Sequence, residues 1–269
     1  MRNVVVSGSF DDLRARQVRF LHEASRLGKV QVFLWADEAV QAHTGAPPKF
    51  PLEERQYLLE SLRYVQRVEV VWPQDADALP YLEEDDPPIW VVEPTEHNER
   101  KRMFAASFGL GYRVISEDDL SGWPASPVAP TTGRKKVIVT GCYDWLHSGH
   151  VRFFEEAAQL GELYVAVGHD ANVRLLKGEG HPFFGQEQRR YMVQAVRYVH
   201  QALITSGDGW MDAEPEIARL QPDIYAVNED GDRPEKRQFC LEHGLEYVVL
   251  KRLPKAGLPR RESTALRGY

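Results

Sequence analysis

Along this chain, short runs of consecutive apolar, mostly β-branched residues alternate with longer stretches that suit helices. Val4-Val5-Val6 and Val137-Ile138-Val139 are the plainest of these runs. A run without polar interruption suits a strand covered on both faces. In the second half the pattern predicts strands over 137–140, 163–168, 201–204, 223–227 and 247–250. It predicts helices near 151–160, 186–199, 214–220 and 234–243. Elements alternating at this length imply an α/β fold with a parallel sheet and helices on both faces. Ligands of such sheets bind outside the carboxyl ends of the strands.

The pattern occurs twice. Val4-Val5-Val6-Ser7-Gly8-Ser9-Phe10-Asp11 parallels Val137-Ile138-Val139-Thr140-Gly141-Cys142-Tyr143-Asp144, with Gly8 and Gly141 standing 133 positions apart. Val18-Arg19-Phe20 matches Val151-Arg152-Phe153, Leu27-Gly28 matches Leu160-Gly161, and Asp37 matches Asp170. After one added residue, Arg63-Tyr64-Val65 matches Arg197-Tyr198-Val199. Further on, Gly109-Leu110 and Tyr112 match Gly244-Leu245 and Tyr247. Matches that keep their order over most of each half indicate a duplication. The expected architecture is two tandem Rossmann-like domains, 1–117 and 135–269. Between them, 118–134 is rich in Pro, Ser and Gly and reads as a semi-extended linker, with Trp123 available to pin it to a domain surface.

Composition narrows the function classes. The apolar share of 43% supports a globular chain rather than disorder. A net charge of −7 argues against a nucleic-acid binder that works through a general basic surface, though not against a local basic pocket. Cys142 and Cys240 form neither a disulfide framework nor a metal-spaced cluster. No apolar run is long enough to span a bilayer, and the first strand follows Met1 too closely for a signal peptide, so a cytoplasmic setting is expected.

The chemistry gathers at the turn after Val137-Ile138-Val139. Gly141 is expected to let the backbone approach a ligand closely. Ser148 or Asp144 can cap the helix that follows, and Gly161 can end it. A strand that feeds a helix N-terminus through glycine is a ready anion site, because free N–H groups and the helix dipole face the ligand. His147 and His150 stand three apart and share one side of the first turn. The corresponding first-half stretch is Arg14-Ala15-Arg16-Gln17: both imidazoles are gone while Gly8, Phe10 and Asp11 remain. The first half therefore reads as a non-catalytic copy. Arg189 is matched by Arg55, and Lys236-Arg237 by Lys101-Arg102. Retention in the degenerate half favours a structural role for Arg189 and a solvated face for Lys236 and Arg237.

The stretch from Gly141 to His150 resembles the Gly-x-Phe-Asp-x-x-His-x-Gly-His signature of the cytidylyltransferase-like nucleotidyltransferases. The order of elements over 135–269 is similar to that superfamily throughout. The tandem arrangement resembles the ethanolamine-phosphate cytidylyltransferases. In length, the second half is similar to the single-domain glycerol-phosphate enzymes and to the nucleotidyltransferase domain of heptose synthesis.

The resemblance implies an enzyme that joins a phosphate monoester, of an alcohol or a sugar, to a nucleoside triphosphate and releases pyrophosphate. CTP is the first expectation for the nucleotide and ATP the alternative; a nucleotide sensor without turnover is the rival from another class. Positioning and positive electrostatics would carry such chemistry. By resemblance, His147, His150 and Lys177 are the catalytic set. Gly141, Cys142, Tyr143, Asp144 and Gly149 line the nucleotide, with Asp144 orienting the turn or a histidine. Asn228 and Asp230 meet base and ribose; Asn228 departs from the family's Gly-Asp-Asp-like element. Arg252, Ser263 and Thr264 hold triphosphate, the last two at the start of a final helix opened by Arg260–Arg267, with Arg260 or Arg261 as substitutes for Arg252. Mg²⁺ is expected to ride on the triphosphate, with no protein metal ligands. Whole chains could pair as homodimers, or the halves could pack as a pseudo-dimer.

Overall fold

The computed structural model describes residues 3–80, 87–125, 130–263 and 266. The chain divides into two compact units, Met1–Gly122 and Trp123–Tyr269. The break falls inside the expected linker. Its first residues continue a short helix of the first unit. Its later residues belong to the second, where the Trp123 ring packs on Tyr191 (5.5 Å) and the Pro124 carbonyl accepts from Arg190 (2.7 Å).

The first unit runs β1 (Asn3–Gly8), α1 (Ala15–Leu27), β2 (Lys29–Trp35), α2 (Asp37–Thr44), α3 (Leu52–Glu60), β3 (Val65–Val71), β4 (Ile89–Val92), α4 (Glu99–Ser107), β5 (Gly111–Val114) and α5 (Glu117–Leu120). Its sheet has the order β3-β2-β1-β4-β5, all parallel. The second unit repeats the series: β6 (Lys136–Gly141), α6 (Ser148–Leu160), β7 (Glu162–Val167), α7 (Asp170–Lys177), α8 (Gln186–Ala195), β8 (Val199–Ile204), α9 (Glu214–Leu220), β9 (Ile224–Asn228), α10 (Pro234–His243) and β10 (Glu246–Leu250). Its sheet order, β8-β7-β6-β9-β10, is the same. These are the two parallel five-stranded, Rossmann-like sheets that the apolar pattern predicts.

Val137, Ile138 and Val139 have no exposed surface, which is why they are apolar on consecutive positions. Each such side chain contributes ~1.5–3 kcal/mol by leaving water. Gly161, between α6 and β7, is fixed by a close approach: a Cβ there would lie 2.0 Å from the Lys135 carbonyl oxygen. The sheet order reverses between β6 and β9. These strands pair only low down, Val137 with Ile224 and Ile138 with Tyr225, and then part toward Gly141 and Asn228. The crevice for a ligand opens there.

Several expectations are corrected. A helix α7, absent from the sequence reading, ends at Lys177; at eight residues it is too short to show a clear period. α8 stops at Ala195, four residues early, because Val196 turns extended to lead into β8. Residues 260–262 run as coil into a turn at Ser263, so the expected helix does not begin at Arg260; residues 264, 265 and 267 lie outside the described residues. Lys236 and Lys101 do not lie on a solvated face but are buried: Lys101 Nζ donates to the Glu96 carbonyl (3.0 Å), and Lys236 lies over the Tyr225 ring. Arg237 is exposed and paired with Asp232.

Candidate active site

Two buried imidazoles form the centre. His147 is the N-cap of α6, displacing Ser148 and Asp144 from that role: its Nδ1 accepts from the Gly149 N–H (3.1 Å). That bond leaves Nδ1 without a proton, so the neutral ring carries its proton on Nε2. Nε2 is buried and without a partner. The His150 ring stacks on it (3.9 Å between centroids), and its Nδ1 is likewise buried and unpartnered. Burial, then the nearby Arg252 and Arg261 guanidiniums, pushes His147 down to about 3. His150 falls well below its ordinary value for the same first reason, with His147, Arg252 and Lys177 adding to it. Both rings are thus neutral near pH 7 and can each donate one N–H.

Gly149 is glycine because the His147 ring folds back over it: a Cβ would sit 3.0 Å from His147 Cε1. Gly141 has a similar reason, which differs from the one expected. A Cβ there would lie 2.7 Å from Tyr143 Cζ, so the free space above Gly141 is filled by the chain's own tyrosine. Tyr143 holds a left-handed backbone (φ 53°), as Phe10 does in the first unit (φ 45°). Such conformations persist where surrounding contacts impose them. Here the turn brings the Tyr143 ring edge-on to His150 (5.2 Å) and buries its hydroxyl without a partner.

Asp144 and Arg189 shape the turn. Asp144 Oδ1 accepts from the backbone N–H groups of Phe183 (2.8 Å) and Phe184 (3.0 Å). Its counterpart Asp11 does the same for Lys49 (2.7 Å) and Phe50 (3.0 Å). Arg189 is fully buried and donates to the carbonyls of Phe184, Cys142 and Gly168 and to Asp170. Arg55 makes the same set of contacts with Phe50, Ser9, Trp35 and Asp37. Both pairs hold the loop at the strand ends. Cys142 contributes its carbonyl; burial raises its thiol, so it stays protonated near pH 7.

Lys177 ends α7 with its side chain exposed, within electrostatic reach of His150 and Cys142. Asn228 closes β9 and has its Oδ1 buried without a partner. Asp230 is tied to Arg252 (2.5 Å), which also donates to the Arg261 carbonyl (3.3 Å). Ser263 Oγ donates to the Trp145 carbonyl (3.4 Å), so the C-terminal segment does reach the start of α6. Thr264 lies outside the described residues. A narrow crevice runs beside α6, lined by Gly149 and Asn228 and by five cations, Arg152, Lys251, Arg252, Arg260 and Arg261, against Glu156 alone. Sequence reasoning reached Arg252, Arg260 and Arg261 but missed Lys251 and Arg152; the adjacent Lys251-Arg252 and Arg260-Arg261 pairs were the available signal. It also missed His181, whose Nδ1 lies 3.4 Å from Asp144 Oδ2 and which belongs to no motif.

Among the described residues no group of three His, Cys, Asp or Glu is placed to hold a metal ion. Neutral imidazole N–H groups and guanidiniums suit phosphate oxygens rather than a cation. No helix among the described residues is long and apolar enough to cross a membrane.

The arrangement can bind and polarise an anion at a helix start. Comparison with known proteins places the chain in a family. Residues 138–249 match the family model described as cytidylyltransferase-like. The FAD synthase of Ferroglobus placidus is 39% identical over 120 residues, which are 44% of this chain and 75% of that protein. The bifunctional protein HldE of Hydrogenovibrio crunogenus is 36% identical over 145 residues, 52% of this chain and 29% of HldE; the chain spans less than a third of that relative's length. A solved lipopolysaccharide core biosynthesis protein from Thermoplasma volcanium aligns at 25% identity over 44% of this chain and 98% of its own, with a TM-score of 0.39. The chain belongs to the cytidylyltransferase-like family of nucleotidyltransferases.

Proposed function

We propose that the second unit transfers a nucleotidyl group from a nucleoside triphosphate to a phosphorylated sugar or alcohol and releases pyrophosphate. The observation that carries this reading is the stacked, neutral His147–His150 pair, with buried nitrogens that have no partner, at the helix start where the sheet order reverses. An oxygen of the acceptor phosphate attacks the α-phosphorus. The new P–O bond forms as the bond to the β-phosphate oxygen breaks, and pyrophosphate leaves with that electron pair. Negative charge grows on the α-phosphoryl oxygens and the leaving group. His147 Nε2–H and the His150 ring would meet the former; Lys177 and the guanidiniums of Arg252 and Arg261 would hold the latter. Fixed donors in a dry site act most strongly where charge develops. Mg²⁺, when bound with the triphosphate, would offset charge on the leaving pyrophosphate.

The relatives bear on the nucleotide. FAD synthase is named for a dinucleotide that contains adenine. Asn228 departs from the Gly-Asp-Asp-like element that the resemblance leads one to expect for a cytidylyltransferase. Both favour ATP over the CTP expected from the signature. CTP remains the second reading, on the family model's description. The first unit has no imidazole at the matching helix start and is read as non-catalytic.

A pyrophosphate-release screen tests the reading. ATP, CTP, UTP and GTP would each be paired with a panel of phosphorylated sugars and alcohols in Mg²⁺, with His150→Ala as the control. The expected result is a signal with one nucleotide that falls by orders of magnitude in the variant. Full activity in His150→Ala would remove that ring from the mechanism. Nucleotide binding with no turnover on any acceptor would support the sensor instead.

A further inference from the structure

The first unit has an open cavity at its own strand ends. It holds a volume of ≈ 350 Å³, against ≈ 10 Å³ for the crevice beside α6. It lies at the point where the sheet order reverses between β1 and β4, the usual ligand position in this architecture. We propose that this cavity is a second ligand site, for a nucleoside-sized planar ring that bears no phosphate.

The argument against phosphate is local. In the first unit the start of α1 is occupied by the chain itself: Gln17, at the place of His150, accepts from the Arg14 N–H through its side chain (2.8 Å). Arg14 is bound to Asp12 (2.7 Å). Arg16, at the place of Gly149, reaches Glu93 (3.1 Å) and Glu117 (2.9 Å). Glu93 stands at the end of β4, where the second unit has Asn228 at the end of β9. An internal ion pair thus spans the ground that an anion would take. Lys101, the cation in the cavity lining, already donates to the Glu96 carbonyl and carboxylate. The charged lining is three carboxylates, Asp11, Glu93 and Glu96, against that one ammonium. With Glu93 paired to Arg16 and Glu96 to Lys101, the cations are engaged and Asp11 stands beside them, so the lining favours neutral groups over phosphate.

The argument for a planar ring is the remaining wall. Phe10, Phe20, Trp35 and Trp90 face the cavity. Trp35 is held in place by its Nε1–H to Ser7 Oγ (2.8 Å) and by the His43 ring (5.0 Å). In the second unit Tyr143, Phe153 and Tyr225 stand at the places of Phe10, Phe20 and Trp90, but the position of Trp35 is Gly168, so the Trp35 face belongs to the first unit alone. Fixed aromatic faces with a few polar groups are the usual lining of small-molecule sites, and stacking on them tolerates any base.

The test is calorimetric titration of the full chain with adenosine and with cytidine, and with AMP as the phosphate-bearing counterpart of the first. At least one nucleoside should bind at one site per chain, and AMP should bind that site at least ten-fold more weakly than adenosine. Trp35→Ala should weaken the nucleoside ten-fold or more, in line with the ~1–3 kcal/mol of base stacking, while Trp35→Phe keeps it within about three-fold. His150→Ala should leave it unchanged. Glu93→Gln, which needs no repacking, should narrow the gap between adenosine and AMP. The proposal is overturned if neither nucleoside binds, if AMP binds as tightly as adenosine at that site, or if binding survives Trp35→Ala and disappears in His150→Ala, which would assign it to the second unit.

Discussion

His147 does two jobs with one ring, and they can be separated. Nδ1 caps the helix; Nε2–H faces the site. Asparagine can supply the cap through its side-chain oxygen but has no donor at the Nε2 position. His147→Asn should therefore keep the fold and lower turnover by about 10²–10³-fold, as removal of one fixed donor to a developing oxyanion does. Pyrophosphate release and circular dichroism on the same sample would check both halves of that statement. The depressed basicity of His147 also has a sign. Its folded value of about 3 lies below its ordinary 6.5. Between those limits the unfolded chain takes up a proton that the folded site refuses. The stability that this contributes is complete above pH of about 6.5 and is lost as pH falls toward about 3. Thermal melts at about pH 7.5 and about pH 4.5 should show a smaller loss of Tm in His147→Asn than in the parent; equal losses would mean that the ring is not buried neutral.

At the scale of elements, the two arginines retained in both units act as bolts. Arg189 joins the turn after β6, the end of β7, the start of α7 and the loop before α8 through four hydrogen bonds. Lysine has the charge but not the planar fork, so Arg189→Lys leaves carbonyls and Asp170 unmet. Breaking a buried, fully engaged ion pair costs about 3–5 kcal/mol, and a comparable fall in unfolding free energy is expected in urea. An unchanged midpoint would show that water replaces the guanidinium without loss. Because Arg55 repeats the geometry, its presence in the first unit marks Arg189 as structural. The same logic failed for Lys236. Its repetition as Lys101 suggested a solvated face, yet both are buried, because repetition reports a shared environment and does not say which one.

At the scale of the whole molecule, one duplicated fold carries two strand-end crevices of opposite character. The second is lined by five cations against one carboxylate; the first is lined by three carboxylates against one lysine. If catalysis belongs to the second unit alone, Arg14→Ala should leave nucleotidyl transfer within a few-fold of the parent. A collapse of turnover in a folded Arg14→Ala protein would show that the first unit shares in the reaction.

The fold was legible because parallel strands buried on both faces must be apolar on consecutive residues, and because duplication repeats that signal. Gly141 through His150 was legible as a site because glycine, paired histidines and a helix start stand within ten residues. What tertiary structure decided is everything that depends on distant contact. Gly141 is glycine because of Tyr143, and the tautomer of His147 follows from the cap at Gly149. The basic wall comes from residues about a hundred positions away, among them Arg252 and Arg261. Local patterning fixes which backbone a segment can adopt; it carries no record of which side chains that backbone will later bring within a few ångströms of each other.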